Sequence, residues 1–270
     1  MGKYAQFVMG PAGSGKTTYC HIMQEHFNAI RRSVHVVNMD PAAEDPLRYQ
    51  PSMDIRDLIS LDEVMEELQF GPNGGLIYCM EFLGENMDWF QENIGGFEDD
   101  YLILDCPGQL ELYTHVPVMR DLVKELQRMD YHVCAVYVLD ASFATDTTKF
   151  ISGALNCLSA MLQLEMPHIN LLSKMDLLGK SDRKTLERIL EMDMETIVDE
   201  LDEEMTEHMH TLNRAIAGLI EQYSLVSFLT LNVEDEDSIS IVQQQVDHAL
   251  QYGEDEEPIE PNDHHEVDLG

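Results

Sequence analysis

The run Gly10-Pro11-Ala12-Gly13-Ser14-Gly15-Lys16-Thr17 fits G-x-x-x-x-G-K-[ST] at every fixed position. It follows an apolar stretch, Tyr4 to Met9, that reads as a buried strand, and precedes a helical pattern starting near Lys16. Glycines let the backbone fold around a phosphate with its N–H groups pointing inward. The helix that follows adds the positive end of its dipole. Gly13, Ser14, Gly15, Lys16, Thr17 and Thr18 are therefore candidate nucleotide-binding residues. Lys16 would reach the β- and γ-phosphates, and Thr17 would hold Mg²⁺ through its hydroxyl.

Further apolar stretches alternate with helix-length segments. Ser33 to Asn38, Tyr101 to Leu104, Val133 to Leu139, His168 to Leu172 and Val226 to Leu231 read as strands. Helical patterns surround Asp54 to Glu67 and run from about Leu76 to Asn93, from Pro117 to Arg128, through about Leu164, and from Asp237 to Tyr252, with Asp237 as cap. This order predicts an α/β P-loop NTPase fold, a mostly parallel sheet flanked by helices. The domain would span 1–252, with a helical insertion at 181–223. Residues 253–270 carry eight acidic residues and two prolines and are expected to be a disordered tail.

The chain has 51 acidic and 16 basic residues, a net charge of −35. That balance argues against direct nucleic-acid binding and against an anionic membrane surface, and fits a basic protein partner. No apolar run is long enough to span a bilayer, and the N-terminus leads straight into the first strand without a signal peptide. Five scattered cysteines without a C-x-x-C suggest reduced thiols in the cytosol or nucleus.

Four candidate residues stand just past strand ends, where such sheets bind ligands: Gly10, Asp40, Asp105 and Ser173. Asp105-Cys106-Pro107-Gly108-Gln109 matches the D-x-x-G-Q switch of GTPases. Asp105 would hold Mg²⁺ through water, the Gly108 N–H would meet the γ-phosphate, and Gln109 would orient the attacking water. Ser173-Lys174-Met175-Asp176 is similar to the guanine-reading N/T-K-x-D motif, with Ser in the first place. Asp176 would accept from guanine N1–H and the 2-amino group, donors that adenine lacks. Asp40 would polarise water or bind hydrated Mg²⁺; a strand-end Asx turn would look the same. Gly71-Pro72-Asn73 reads as part of a plain loop or turn. No arginine stands close to the switch motifs as a cis finger, so another group, from a second subunit for example, would have to stabilise the leaving phosphate.

The motifs G-P-A-G-S-G-K-T, V-N-M-D-P-A-A, F-G-P-N-G-G, D-C-P-G-Q-x-E-L-Y-T-H and S-K-M-D-L-L, in this order, resemble those of the GPN-loop GTPases. The resemblance implies GTP hydrolysis to GDP with Mg²⁺ as cofactor. It implies a homodimer, or a heterodimer with a GPN-loop paralogue, in which the Gly71-Pro72-Asn73 loop reaches the partner's site and Asn73 stabilises the released phosphate. It also implies a cytoplasmic factor, shuttling to the nucleus, that handles RNA polymerase II subunits during assembly and import. Two other classes share the P-loop: a small-molecule kinase, which needs neither D-x-x-G-Q nor K-x-D, and a GTP-binding scaffold with negligible hydrolysis.

Overall fold

The computed structural model describes residues 2–97, 101–109, 111–114, 116–191, 194–222 and 227–254. The first half of the chain forms β1 (Lys3–Met9), α1 (Lys16–Ala29), β2 (His35–Asn38), β3 (Met53–Asp54), α2 (Leu61–Leu68), α3 (Pro72–Glu85), α4 (Met87–Ile94), β4 (Tyr101–Asp105), α5 (Glu111–Thr114) and α6 (Val118–Arg128). The second half forms β5 (Tyr131–Asp140), α7 (Thr147–Leu164), β6 (His168–Ser173), α8 (Lys180–Glu191), α9 (Met194–Glu204), α10 (Glu207–Gln222), β7 (Phe228–Thr230) and α11 (Glu236–Leu250).

The strands pair in the order β3-β2-β4-β1-β5-β6-β7, every pair parallel. Parallel neighbours need crossovers, which the helices supply. Alternate residues of β1 serve opposite faces. Ala5, Phe7 and Met9 join the core beneath α2, α3, α6 and α7, while Tyr4 and Val8 join the core beneath α1 and α11. Each buried side chain of this size adds about 1.5–3 kcal/mol.

Register brings the chemistry to one edge. Val8 lies opposite Asp105, Asn38 opposite Asp105, and Asp140 opposite Ser173. The loops that follow β1, β2, β4 and β6 therefore emerge side by side at the C-terminal edge of the sheet, with central β1 between β4 and β5.

Several expectations are corrected. The helix placed around Asp54–Glu67 begins only at Leu61, because a Ser60–Glu63 capping box starts it there, and the two-residue β3 and a 3₁₀ turn, Ile55–Asp57, precede it. Gly71-Pro72-Asn73 is not a plain loop. Gly71 caps α3 and Pro72 opens it, where a missing N–H costs nothing. The helix expected over Leu76–Asn93 is split at Asn86 into α3 and α4. The cap of α11 is Asp235, whose carboxylate accepts from the Asp237 N–H. The segment expected as a helical insertion contains α8, α9 and α10. Nearly all of the tail, from 255 onward, lies outside the described residues, as do Val226 and residue 223.

Candidate nucleotide site

The loop between β1 and α1 depends on its glycines. Gly10, Gly13 and Gly15 have φ of 137°, 74° and 98°. A Cβ on Gly10 would stand 2.1 Å from the Val138 carbonyl oxygen. The α1 helix starts at Lys16, so its first free N–H groups open into the loop. Lys16 Nζ donates to Pro11 O at 3.0 Å, across the loop. Burial pulls its ammonium below the usual lysine range, while Asp105 and Asp40 oppose the shift. The buried Ser14 hydroxyl has no hydrogen-bond partner among the described residues.

Asp105 ends β4 almost fully buried. Its Oδ2 accepts from the Tyr49 hydroxyl at 3.0 Å, and its Oδ1 is buried without a hydrogen-bond partner among the described residues. Burial pushes the carboxyl up to about 6, against the Thr17 and Tyr49 hydroxyls and the Lys16 charge. Asp40 follows β2 in an Asx turn: Oδ1 accepts from the Ala42 N–H at 2.9 Å. Burial raises its pKa too, opposed by that N–H and by Lys16 and Arg56. Thr17, Asp40 and Asp105 line one cavity of about 290 Å³. An orphaned carboxylate oxygen beside a threonine hydroxyl suits Mg²⁺, which takes few protein ligands and keeps water and phosphate oxygens as the rest. Among the described residues no cluster of three His, Cys, Asp or Glu could hold a metal by itself.

The turn after Asp105 packs on the phosphate loop. A Cβ on Gly108 would stand 2.8 Å from Ala12 Cα. The Tyr113 hydroxyl donates to Pro107 O and fixes the turn. Gln109 Nε2 donates to Asn73 Oδ1 at 2.7 Å, so the D-x-x-G-Q turn and the start of α3 touch within one chain.

On the other side of β1, Ser173 Oγ lies 2.5 Å from Ser14 O and 3.2 Å from Leu139 O, a hydroxyl fastened to the phosphate loop. Lys174 adopts the left-handed conformation, with φ 60°, and its Nζ donates to Asp140 Oδ2 at 2.8 Å. Its stem runs past Gly15, where a Cβ would meet Lys174 Cε at 4.0 Å. Met175 opens a 3₁₀ turn containing Asp176, whose Oδ1 is buried without a partner among the described residues.

Sequence reasoning missed the segment between β2 and β3. Arg48 lines the same cavity as Thr17 and Asp105, and its Nη1 donates to Thr18 Oγ1 at 3.2 Å. An arginine does therefore stand at the site. It went unnoticed because it belongs to no periodic element and its partner Thr18 lies 30 residues away in the chain. Tyr49 escaped for the same reason, being 56 residues from Asp105.

A glycine loop at a helix N-terminus, a strand-end carboxylate beside its Thr, and a K-x-D turn on the same edge define a P-loop nucleoside triphosphatase. A family model described as "Conserved hypothetical ATP binding protein" matches residues 8–252. GPN-loop GTPase 3 of Dictyostelium discoideum is 54% identical over 262 residues, covering 97% of this chain and 92% of the relative. GPN-loop GTPase 3 of Danio rerio is 50% identical over 266 residues, covering 97% and 93%. The chain belongs to the GPN-loop GTPase family. The crystal structure of a GTPase in apo form from Pyrococcus abyssi, 23% identical, shares the fold with a TM-score of 0.77 over 91% of this chain and 97% of that one.

Proposed function

We propose that this chain binds GTP at the C-terminal edge of its sheet and hydrolyses it to GDP and phosphate. The observation that carries this reading is Asp176 Oδ1, buried and without a hydrogen-bond partner among the described residues, in the turn that follows β6. A guanine edge offers N–H donors to such a carboxylate, and adenine offers an acceptor there, leaving a buried oxygen unsatisfied. This favours guanine over the adenine named in the family model's description.

The phosphates would lie on the N–H groups of Gly13 to Thr18, with Lys16 meeting the β- and γ-oxygens. Thr17 and, through water, Asp105 would hold Mg²⁺, which neutralises charge on the phosphate oxygens. Asp40 and Gln109 would orient the attacking water. No helix among the described residues is long and apolar enough to cross a membrane.

The working unit in this proposal is a dimer, with a second copy or a paralogue, joined near the Gly71-Pro72-Asn73 turn so that Asn73 serves the partner's site. The exposed Leu68 and Phe70 just before that turn support such a face. Family membership supports a role in RNA polymerase II assembly and import, in the cytoplasm with passage to the nucleus. Competition of GTP and ATP for the purified protein tests the base. Release of phosphate from GTP with no acceptor present separates hydrolysis from a kinase or an inert scaffold. Sedimentation with and without GTP tests the dimer.

A further inference from the structure

Residues 46–50 form a strap across the first turns of α1. Gln24 on α1 grips the backbone of Gln50 at both ends: Gln24 Nε2 donates to Gln50 O at 3.0 Å, and Gln50 N donates to Gln24 Oε1 at 3.2 Å. Leu47 packs against the core beneath α1 and α11, and the ring of Tyr49 is part of it, 5% exposed. The Tyr49 hydroxyl ends on Asp105 Oδ2. One carboxylate oxygen is thereby occupied, and the other, Oδ1, is buried with no hydrogen-bond partner among the described residues.

We propose that Tyr49 is a positioning residue: its hydroxyl fixes the Asp105 carboxylate so that a single oxygen, Oδ1, is offered to the cation beside the triphosphate. The inference rests on the reading of Asp105 as the metal-side carboxylate. A side chain bonded to one carboxylate oxygen sets the plane of the whole group, and loss of such an outer partner typically weakens metal binding about 10- to 100-fold. Asp105 sits on a rigid central strand, but its side chain can rotate. The strap removes that freedom, and Gln24 anchors the strap to the helix that carries Thr17.

The test uses the full chain and a fluorescent GDP analogue. The Mg²⁺ concentration that half-maximally slows GDP release is measured for the wild type, Tyr49→Phe, Gln24→Ala and Asp105→Asn. Tyr49→Phe is expected to raise that concentration about tenfold, with GDP affinity in EDTA unchanged. Gln24→Ala is expected to shift it the same way by less, since the tyrosine keeps its hydroxyl while its backbone loosens. A role confined to packing would lower the melting temperature without moving the Mg²⁺ requirement. Should Tyr49→Phe melt far below the wild type, the Gln24→Ala variant, at a partly exposed position, carries the test. An unchanged Mg²⁺ requirement in Tyr49→Phe, or in Gln24→Ala where that variant carries the test, together with a raised one in Asp105→Asn, overturns the positioning role alone. An unchanged requirement in Asp105→Asn removes the metal reading of Asp105 itself.

Discussion

Gln109 donates a 2.7 Å hydrogen bond to Asn73 Oδ1, joining the turn after β4 to the first turn of α3 across 36 residues of chain. Two amides from separate motifs thus hold each other's orientation. Asn73→Ala and Gln109→Ala should each slow GTP turnover about tenfold or more while leaving nucleotide affinity near wild type. The double variant should be less than additive, with a coupling of about 0.5–3 kcal/mol. Single-turnover phosphate release on the four proteins reads this out, and strict additivity would show that the two amides act apart.

Lys16 lies buried between two carboxylates and a carbonyl of its own loop. Replacing it by alanine removes the ammonium that opposes Asp105 and Asp40, leaving those two carboxylates to face incoming phosphates. Lys16→Ala should weaken GTP and GDP about a hundredfold or more, since charge-assisted hydrogen bonds contribute about 1.5–3 kcal/mol each. Equilibrium dialysis is sufficient, and wild-type affinity would refute the loop's role.

Asp176→Asn keeps one acceptor and turns an N–H₂ toward the base. GTP should bind about tenfold to a hundredfold more weakly while ATP changes little, so the preference for guanine shrinks. Competition between the two nucleotides measures it. An unaltered ratio would mean that Asp176 does not read the base.

His168, on β6, has both ring nitrogens buried without a hydrogen-bond partner among the described residues and stacks against Tyr137. Burial depresses its pKa to about 4 from 6.5. The neutral ring is therefore favoured in the folded chain. Its contribution is complete above about pH 6.5 and is lost as pH falls toward 4, by up to about 3 kcal/mol. His168→Phe should flatten that part of the stability profile. Denaturant melts at pH 7, 5.5 and 4 compare the two, and parallel profiles would contradict the burial argument.

The parts that were legible in the sequence share a cause. β1, β4 and β5 are near-continuous apolar runs, and β6 is a shorter one, because both faces of a parallel strand are covered, and the residues at their ends are fixed by backbone geometry. Gly10, Asp105 and Ser173 could thus be placed from pattern alone. The start of α3 could not. Gly71, Pro72, Asn73 and Gly74 are turn formers, and only the proline, pre-set for a first helical position, hinted at a helix. β3 is two residues long and exists because Met53 and Asp54 pair with Val37 and Asn38. Arg48 and Tyr49 sit in an irregular segment whose contacts are all with distant residues, so no local periodicity could announce them.

The short tie from Ser173 Oγ to the Ser14 carbonyl has a mechanical corollary. The turn after β6 and the loop after β1 are bolted together as one jaw, so neither can open without dragging the other. Only an oxygen-bound hydrogen is needed for that bolt, which explains how so small a side chain suffices where bulkier ones are usual. A bare triphosphate should consequently stiffen the turn around Lys174 and Asp176 even though it brings no ring to hold.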